Sequence, residues 1–253
     1  MRKGIRNIGA IVMALTLMQV ASGALAVAVP LALDANGVGP FAIGVTTAFF
    51  GGGLMLGAVT APGLIAQIGH IRAFAFFAAI AAALALMLFM RIDAVAWSVV
   101  RFGIGACSAG IFTAGESWIA SESSEHRRGA LIGFYHVAAK IALVVGAFAI
   151  SRMNASGPAP YMFTGAVFAL CLAPVAATRS AAPPAPSPEP LHPRKLFAMA
   201  PAAVYAVAIA GLVNGAVLGL SPIYAAQSAG DPGAEAVAAA AFYAALTIGG
   251  VVS

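Results

Sequence analysis

Charge is what this chain has least of. Charged residues fill 8% of its 253 positions, where soluble domains carry roughly 25%, so the chain cannot furnish an ordinary water-facing surface. What charge there is leans basic, with 13 Lys and Arg against 8 Asp and Glu. No basic cluster is dense enough to track phosphates, which argues against a nucleic-acid partner. Cysteine is almost missing as well. Cys107 and Cys171 both fall inside apolar runs, and neither has His or Cys neighbours at metal-ligand spacing, so no disulfide framework and no metal centre is expected. Gly51-Gly52-Gly53 lacks the Lys-Ser/Thr of a phosphate cradle, and no H-E-x-x-H motif occurs. His136 has no Ser, Cys or Asp at a spacing that would make a nucleophile–base pair. A nucleotide-driven machine, a bound cofactor and an enzyme are therefore all disfavoured.

What the chain has instead is apolar length. Hydrophobic residues make up 62% of it, and its mean hydropathy is +0.97. Runs of about 20 apolar residues recur, each able to cross a hydrocarbon core about 30 Å thick. Eight helices are predicted, at Ile8–Leu33, Phe41–Ile68, Ala73–Met90, Val95–Ile119, Gly129–Ile150, Tyr161–Ala177, Leu196–Ala226 and Ala234–Ser253. The basic start Met-Arg-Lys-Gly-Ile-Arg and the small residues Ala24-Leu25-Ala26 resemble a signal peptide. The apolar run from Ile8 to Leu33 exceeds the 7–15 residues of such a segment, so it reads as a first transmembrane helix. Turn formers fill the short breaks, as in Asp34-Ala35-Asn36-Gly37, Asn154 to Pro158 and Ser228 to Gly233. Successive helices should therefore be antiparallel neighbours.

The basic residues in the breaks alternate. Arg2, Lys3, Arg6, Arg72, Arg127, Arg128, Arg179, Arg194 and Lys195 belong to one side, and only Arg91 and Arg152 to the other. That bias places the amino terminus and the richer side in the cytoplasm, in a multi-pass protein of the plasma (inner) membrane. From Ser180 to Pro193 the chain holds six prolines among Ala, Ser and Glu, a composition that makes a semi-extended tether. Residues 1–179 then form a six-helix bundle, 180–195 a cytoplasmic linker, and 196–253 the start of a second bundle. Ala234 to Ser253 has nothing polar anchoring its far end. The expectation is one whole half of a two-bundle protein, a tether, a seventh helix and most of an eighth, that is, a truncated second half.

Several motifs support that layout. Pro62-Gly63-Leu64-Ile65-Ala66-Gln67-Ile68-Gly69-His70-Ile71-Arg72 resembles the loop motif G-x-L-a-D-r-x-G-r-r of the major facilitator superfamily. Leu64 and Gly69 match, and Arg72 supplies a basic residue just past its end. Pro62, Ala66 and Gln67 depart from the first Gly, the Asp and the first basic residue. Arg101-Phe102-Gly103-Ile104-Gly105-Ala106 resembles the superfamily pattern R-x-x-q-G-x, and Arg128-Gly129 the Arg-Gly that precedes its fifth helix. Val29 to Leu33, Glu116-Ser117-Trp118, Tyr135, Gly211 to Gly215 and Pro222-Ile223-Tyr224 are similar to the small YcaD-like branch. The resemblance implies an all-α six-helix bundle of two inverted three-helix repeats, followed by the first one or two helices of a second bundle.

Two cations lie within apolar runs, where each would cost roughly 2.5–3.5 kcal/mol on insertion scales. Lys140 sits about 16 Å from Gly129 at 1.5 Å per residue, near mid-membrane, with His136 four positions earlier on the same face. Arg101 recurs with Gly105, Ser108, Phe112 and Glu116 on one face of the fourth helix. These three, with the lone amides Gln19 and Asn214 in helices that border the superfamily's cavity, are the candidates for a substrate or proton pathway. Each also has a structural alternative: a snorkelling Arg101, a carbonyl-bonded Lys140, a packed neutral His136, and amides that only join helices. Gly69, Arg72, Glu116, Arg128 and Gly129 are the candidates for a cytoplasmic gate, with Glu116 pairing Arg128 or Arg72. The expected activity is secondary, proton-coupled transport of a small molecule by alternating access, in a protein monomeric at full length. The competing expectations are a non-transporting or inert fragment and, less well supported, an intramembrane enzyme.

Overall fold

The computed structural model describes residues 2–122, 125–177, 197–229 and 234–252. Its elements are α1 (Arg2–Ala35), α2 (Pro40–Ile68), α3 (His70–Met87), α4 (Ala94–Glu122), α5 (Glu125–Ala149), α6 (Ala159–Leu170), α7 (Leu172–Ala176), α8 (Pro201–Gln227) and α9 (Glu235–Val252). The short α7 continues α6 past a break at Cys171, and the two together make one span, Ala159–Ala176. Six of the described helical segments are long and apolar enough to cross a membrane. Among the described residues there is no β-strand. An all-helical answer follows from the solvent: in hydrocarbon, each backbone polar group needs a partner within its own segment. The 180–195 linker lies outside the described residues.

The turns follow local chemistry. At the end of α1, the Gly37 amide bonds the Asp34 carbonyl at 2.9 Å and the Val38 amide bonds Leu33 at 3.0 Å, with Gly37 at φ 76. This is the paired bonding of a Schellman cap, in which glycine tolerates the left-handed conformation. Pro40 then opens α2, where its missing N–H costs nothing. Gly69, at φ 82, makes the α2–α3 turn alone, so α3 starts at His70, earlier than the predicted Ala73. Asp93 accepts the Ala96 amide at 2.8 Å and caps α4. Two other boundaries differ from expectation. α5 begins at Glu125, since helical backbone starts one turn before the apolar span that opens at Gly129. α8 begins at Pro201, because Ala200 adopts a non-helical conformation and proline suits the first helical position.

Helix packing is arranged by glycine at two crossings. Where α2 meets α4, Gly53 lies against the Phe102 carbonyl and Gly105 against the Phe50 carbonyl. Where α1 meets α5, Gly23 lies against the Leu143 carbonyl and Gly146 against the Val20 carbonyl. Small residues let backbones touch where no hydrophobic force drives helices together. The two crossings are related. Exchanging α1 with α4, α2 with α5 and α3 with α6 carries the α2–α4 contact onto α5–α1 and α3–α4 onto α6–α1, while α3–α6 maps onto itself. Because the helices alternate in direction, the two triplets are inverted copies. The second set obeys the same exchange, with α8 packing on α2 and α9 on α5.

Aromatic anchors tie down the end of the bundle opposite the amino terminus. Trp97 and Tyr161 meet edge to face at 5.4 Å. The Trp97 indole donates to the Arg91 carbonyl at 2.8 Å, and the Tyr161 hydroxyl donates to the Ala155 carbonyl at 2.8 Å.

Candidate substrate and proton pathway

α1, α4 and α5 line an open cavity of about 360 Å³, bordered by Gln19, Phe112, Glu116, Tyr135, His136, Ala139 and Lys140. The α5 contribution is a stripe at positions 135, 136, 139 and 140, one face of a helix over one turn. Phe112 and Glu116 come from one face of α4 in the same way, and Gln19 from α1. Around Glu116 the electrostatics are local. His136 and Tyr135 lie within its reach, and the Tyr135 and His136 rings sit 5.0 Å apart, tilted by 41°. Tyr135 is buried and Glu116 and Lys140 are half-buried. Lys140 makes no hydrogen bond or ion pair among the described residues. The chemistry available is thus one carboxylate beside an imidazole, one uncompensated ammonium, one amide and two aromatic rings.

Arg101 lies elsewhere. It is 6% exposed, and its guanidinium stacks over the Phe50 ring of α2 at 4.4 Å. Its Nε has no hydrogen-bond partner. Tyr243 of α9, itself buried, lies within electrostatic reach. Arg101 therefore sits where the first bundle meets the second set, about four turns of α4 from Glu116. Seven residues on, the buried Ser108 hydroxyl also lacks a partner.

Gly69 supports the α2–α3 turn, and Arg72 is exposed with no ion pair among the described residues. Gly129 is exposed too. Glu116 does not pair with Arg72; it faces the cavity beside His136. The side chains of Arg128 and Asn214 lie outside the described residues. The sequence placed Phe112 on the face of α4 that carries Glu116, but it did not assign Ala139 or Tyr243 to a polar site, and Tyr135 entered only as a point of likeness. The signal for Tyr135 and Ala139 was their helical spacing to His136 and Lys140. Tyr243 had none, since only tertiary packing brings α9 to Arg101.

A second cavity, of about 660 Å³, opens at the other end of the bundle, with Asp34, Arg152, Asn154, Ser156, Gln227 and Glu235 among its lining residues. Two side-chain hydrogen bonds join the helix ends at this side of the bundle. Gln227 Nε2 donates to Asp34 Oδ1 at 3.4 Å, and Asn36 Nδ2 donates to Ser156 Oγ at 3.0 Å. The first links α8 to the end of α1. The described residues contain no group of three His, Cys, Asp or Glu side chains placed to hold a metal.

Comparison with known proteins agrees with this geometry. A family model described as Major Facilitator Superfamily matches residues 11–253. Among solved structures, the crystal structure of a D-xylose-proton symporter superposes with a TM-score of 0.60 at 14% identity, covering 97% of this chain and 67% of that one. Comparison with curated protein sequences gives no match. With a family match over nearly its whole length and a bundle of inverted helix triplets, the chain belongs to the Major Facilitator Superfamily, whose members are transporters and not enzymes.

Proposed function

We propose that this protein moves a small molecule across the plasma membrane by alternating access, coupled to protons, with the cavity between α1, α4 and α5 as the pathway. The observation that carries the reading is the convergence of Gln19, Glu116, His136 and Lys140 from three helices on one cavity. Polar groups at membrane depth are expensive and mark pathways. A carboxylate next to an imidazole supplies two groups whose charge changes as their solvation changes.

In this reading the amino terminus, Arg72 and the α4–α5 turn face the cytoplasm, the Pro-rich 180–195 linker runs on that side, and Gly69, Arg128 and Gly129 belong to the inner gate. Arg101, stacked on Phe50 of α2, meets the second set through Tyr243 of α9, and Asn214 of α8 is assigned to the same pathway. The resemblance to the YcaD-like branch is part of the same reading. Opening and closing would then rock the first bundle against the α8–α9 set.

The test is substrate-dependent proton movement. Purified protein in vesicles loaded with a pH-sensitive dye is challenged with a panel of sugars, amino acids, organic acids and amines. The expected result is a dye response to at least one compound, abolished when Glu116 is replaced by Gln. Proton leakage indifferent to every compound, or a response that survives Glu116→Gln, sinks the proposal.

A further inference from the structure

We propose that the cavity selects a small organic monoanion, a carboxylate on an apolar or aromatic body, with Lys140 and Gln19 receiving the carboxylate and Phe112 and Tyr135 flanking the body. The assignment rests on reading this cavity as the substrate pathway and goes further by naming the chemistry of what fills it.

Charge decides the sign. Three ionisable side chains line the cavity: Glu116, His136 and Lys140. Glu116 already has His136 within electrostatic reach. Lys140 has no hydrogen bond or ion pair among the described residues, although it lies well inside the span Gly129–Ala149. An ammonium at that depth, half-buried and without an anion, is missing its counterion. A ligand carboxylate supplies that counterion and gains a charge-assisted hydrogen bond in return. A cationic ligand would meet the Lys140 ammonium and would have to share Glu116, the one carboxylate in the lining, with His136.

Geometry narrows the rest. The Gln19 amide approaches from α1, across the cavity from α5, and its NH₂ can donate to the second carboxylate oxygen. The remaining walls are Phe112, Tyr135 and Ala139, flat and apolar surfaces suited to a ring or short alkyl body. A sugar needs a polar partner for most of its hydroxyls, and this lining offers too few. The volume of about 360 Å³ falls at the small end of the roughly 300–1,000 Å³ found for ligand sites.

The test uses one body with different heads. Binding of benzoate, benzamide, benzylamine and D-xylose to the full chain in nanodiscs is measured by calorimetry, with no gradient present. Benzoate should bind about tenfold or more tighter than benzamide, as expected for adding one charge-assisted contact. Lys140→Gln should erase that preference while Lys140→Arg keeps it, and comparing the two variants separates lost charge from lost folding. If benzamide, benzylamine or D-xylose binds as well as benzoate, or if no benzoate binding is measurable, the anion assignment is overturned. Proton-linked flux of a neutral or cationic compound would sink this assignment and leave the transport reading intact. Lys140-dependent benzoate binding without proton-linked flux would do the opposite.

Discussion

Lys140 and the crossing glycines are single positions at which one atom group decides an outcome. Lys140→Ala should reduce gradient-driven substrate movement to background while membrane insertion, followed by membrane fractionation, stays normal. Wild-type flux in that variant would remove the residue from the mechanism. Gly146 is different, because its place is steric: any Cβ there meets the Val20 carbonyl of α1. Gly133, on the same helix, has open space around it. Gly146→Leu should therefore destabilise the bundle by about 1–3 kcal/mol or more, as overpacking does, whereas Gly133→Leu should change little. Thermal unfolding in detergent reads the difference, and equal melting temperatures for the two variants would refute the close crossing.

At the scale of the element, helix ends carry information that apolar runs do not. Gly37, Pro40 and Asp93 each act through a local backbone requirement, and all three are recognisable in sequence as turn or cap residues. Replacing Asp93 with Ala leaves the Ala96 amide without its side-chain acceptor, and such a cap is worth about 1 kcal/mol. Slightly earlier melting with unchanged helical circular dichroism at low temperature is the expected signature. The break at Cys171 between α6 and α7 was not foreseen. The apolar stretch continues through it, and hydropathy does not register a local change in backbone bonding.

At the scale of the molecule, the bundle is built from two inverted triplets with α8 and α9 laid on equivalent helices. If the two sets rock against each other, contacts at the bundle ends must form and break. The Gln227–Asp34 hydrogen bond joins α8 to α1 at the end opposite the amino terminus. A bifunctional thiol reagent bridging Asp34→Cys and Gln227→Cys should arrest flux, with recovery on cleaving the reagent; unaffected flux in the bridged protein would refute motion at this end. Topology is checked separately. An introduced cysteine at Arg127 should be shielded from impermeant reagents in intact cells, and one at Asn154 should be labelled. Cys107 and Cys171, both buried, should contribute little background.

The all-helical fold, with six spans among the described residues, and the membrane as solvent were legible in the chain itself, because hydrocarbon thickness sets span length and unpaired backbone groups forbid anything but helices. Lys140 and Arg101 were legible as anomalies for the same reason, as charges in runs that should hold none. Which of them share a site was not. Distance along α4 separates Arg101 from Glu116, while the folding of α5 back beside α1 and α4 brings Gln19, Glu116, His136 and Lys140 around one space. Glu116 shows the limit most clearly. Its position near a helix end pointed to an arginine partner; Arg72 is not that partner, and the rotation of Glu116 about the α4 axis brings it to the cavity beside His136. Periodicity places residues on a common face of one helix, but only the packing of helices against each other, set here by glycine contacts at two crossings, determines what that face meets.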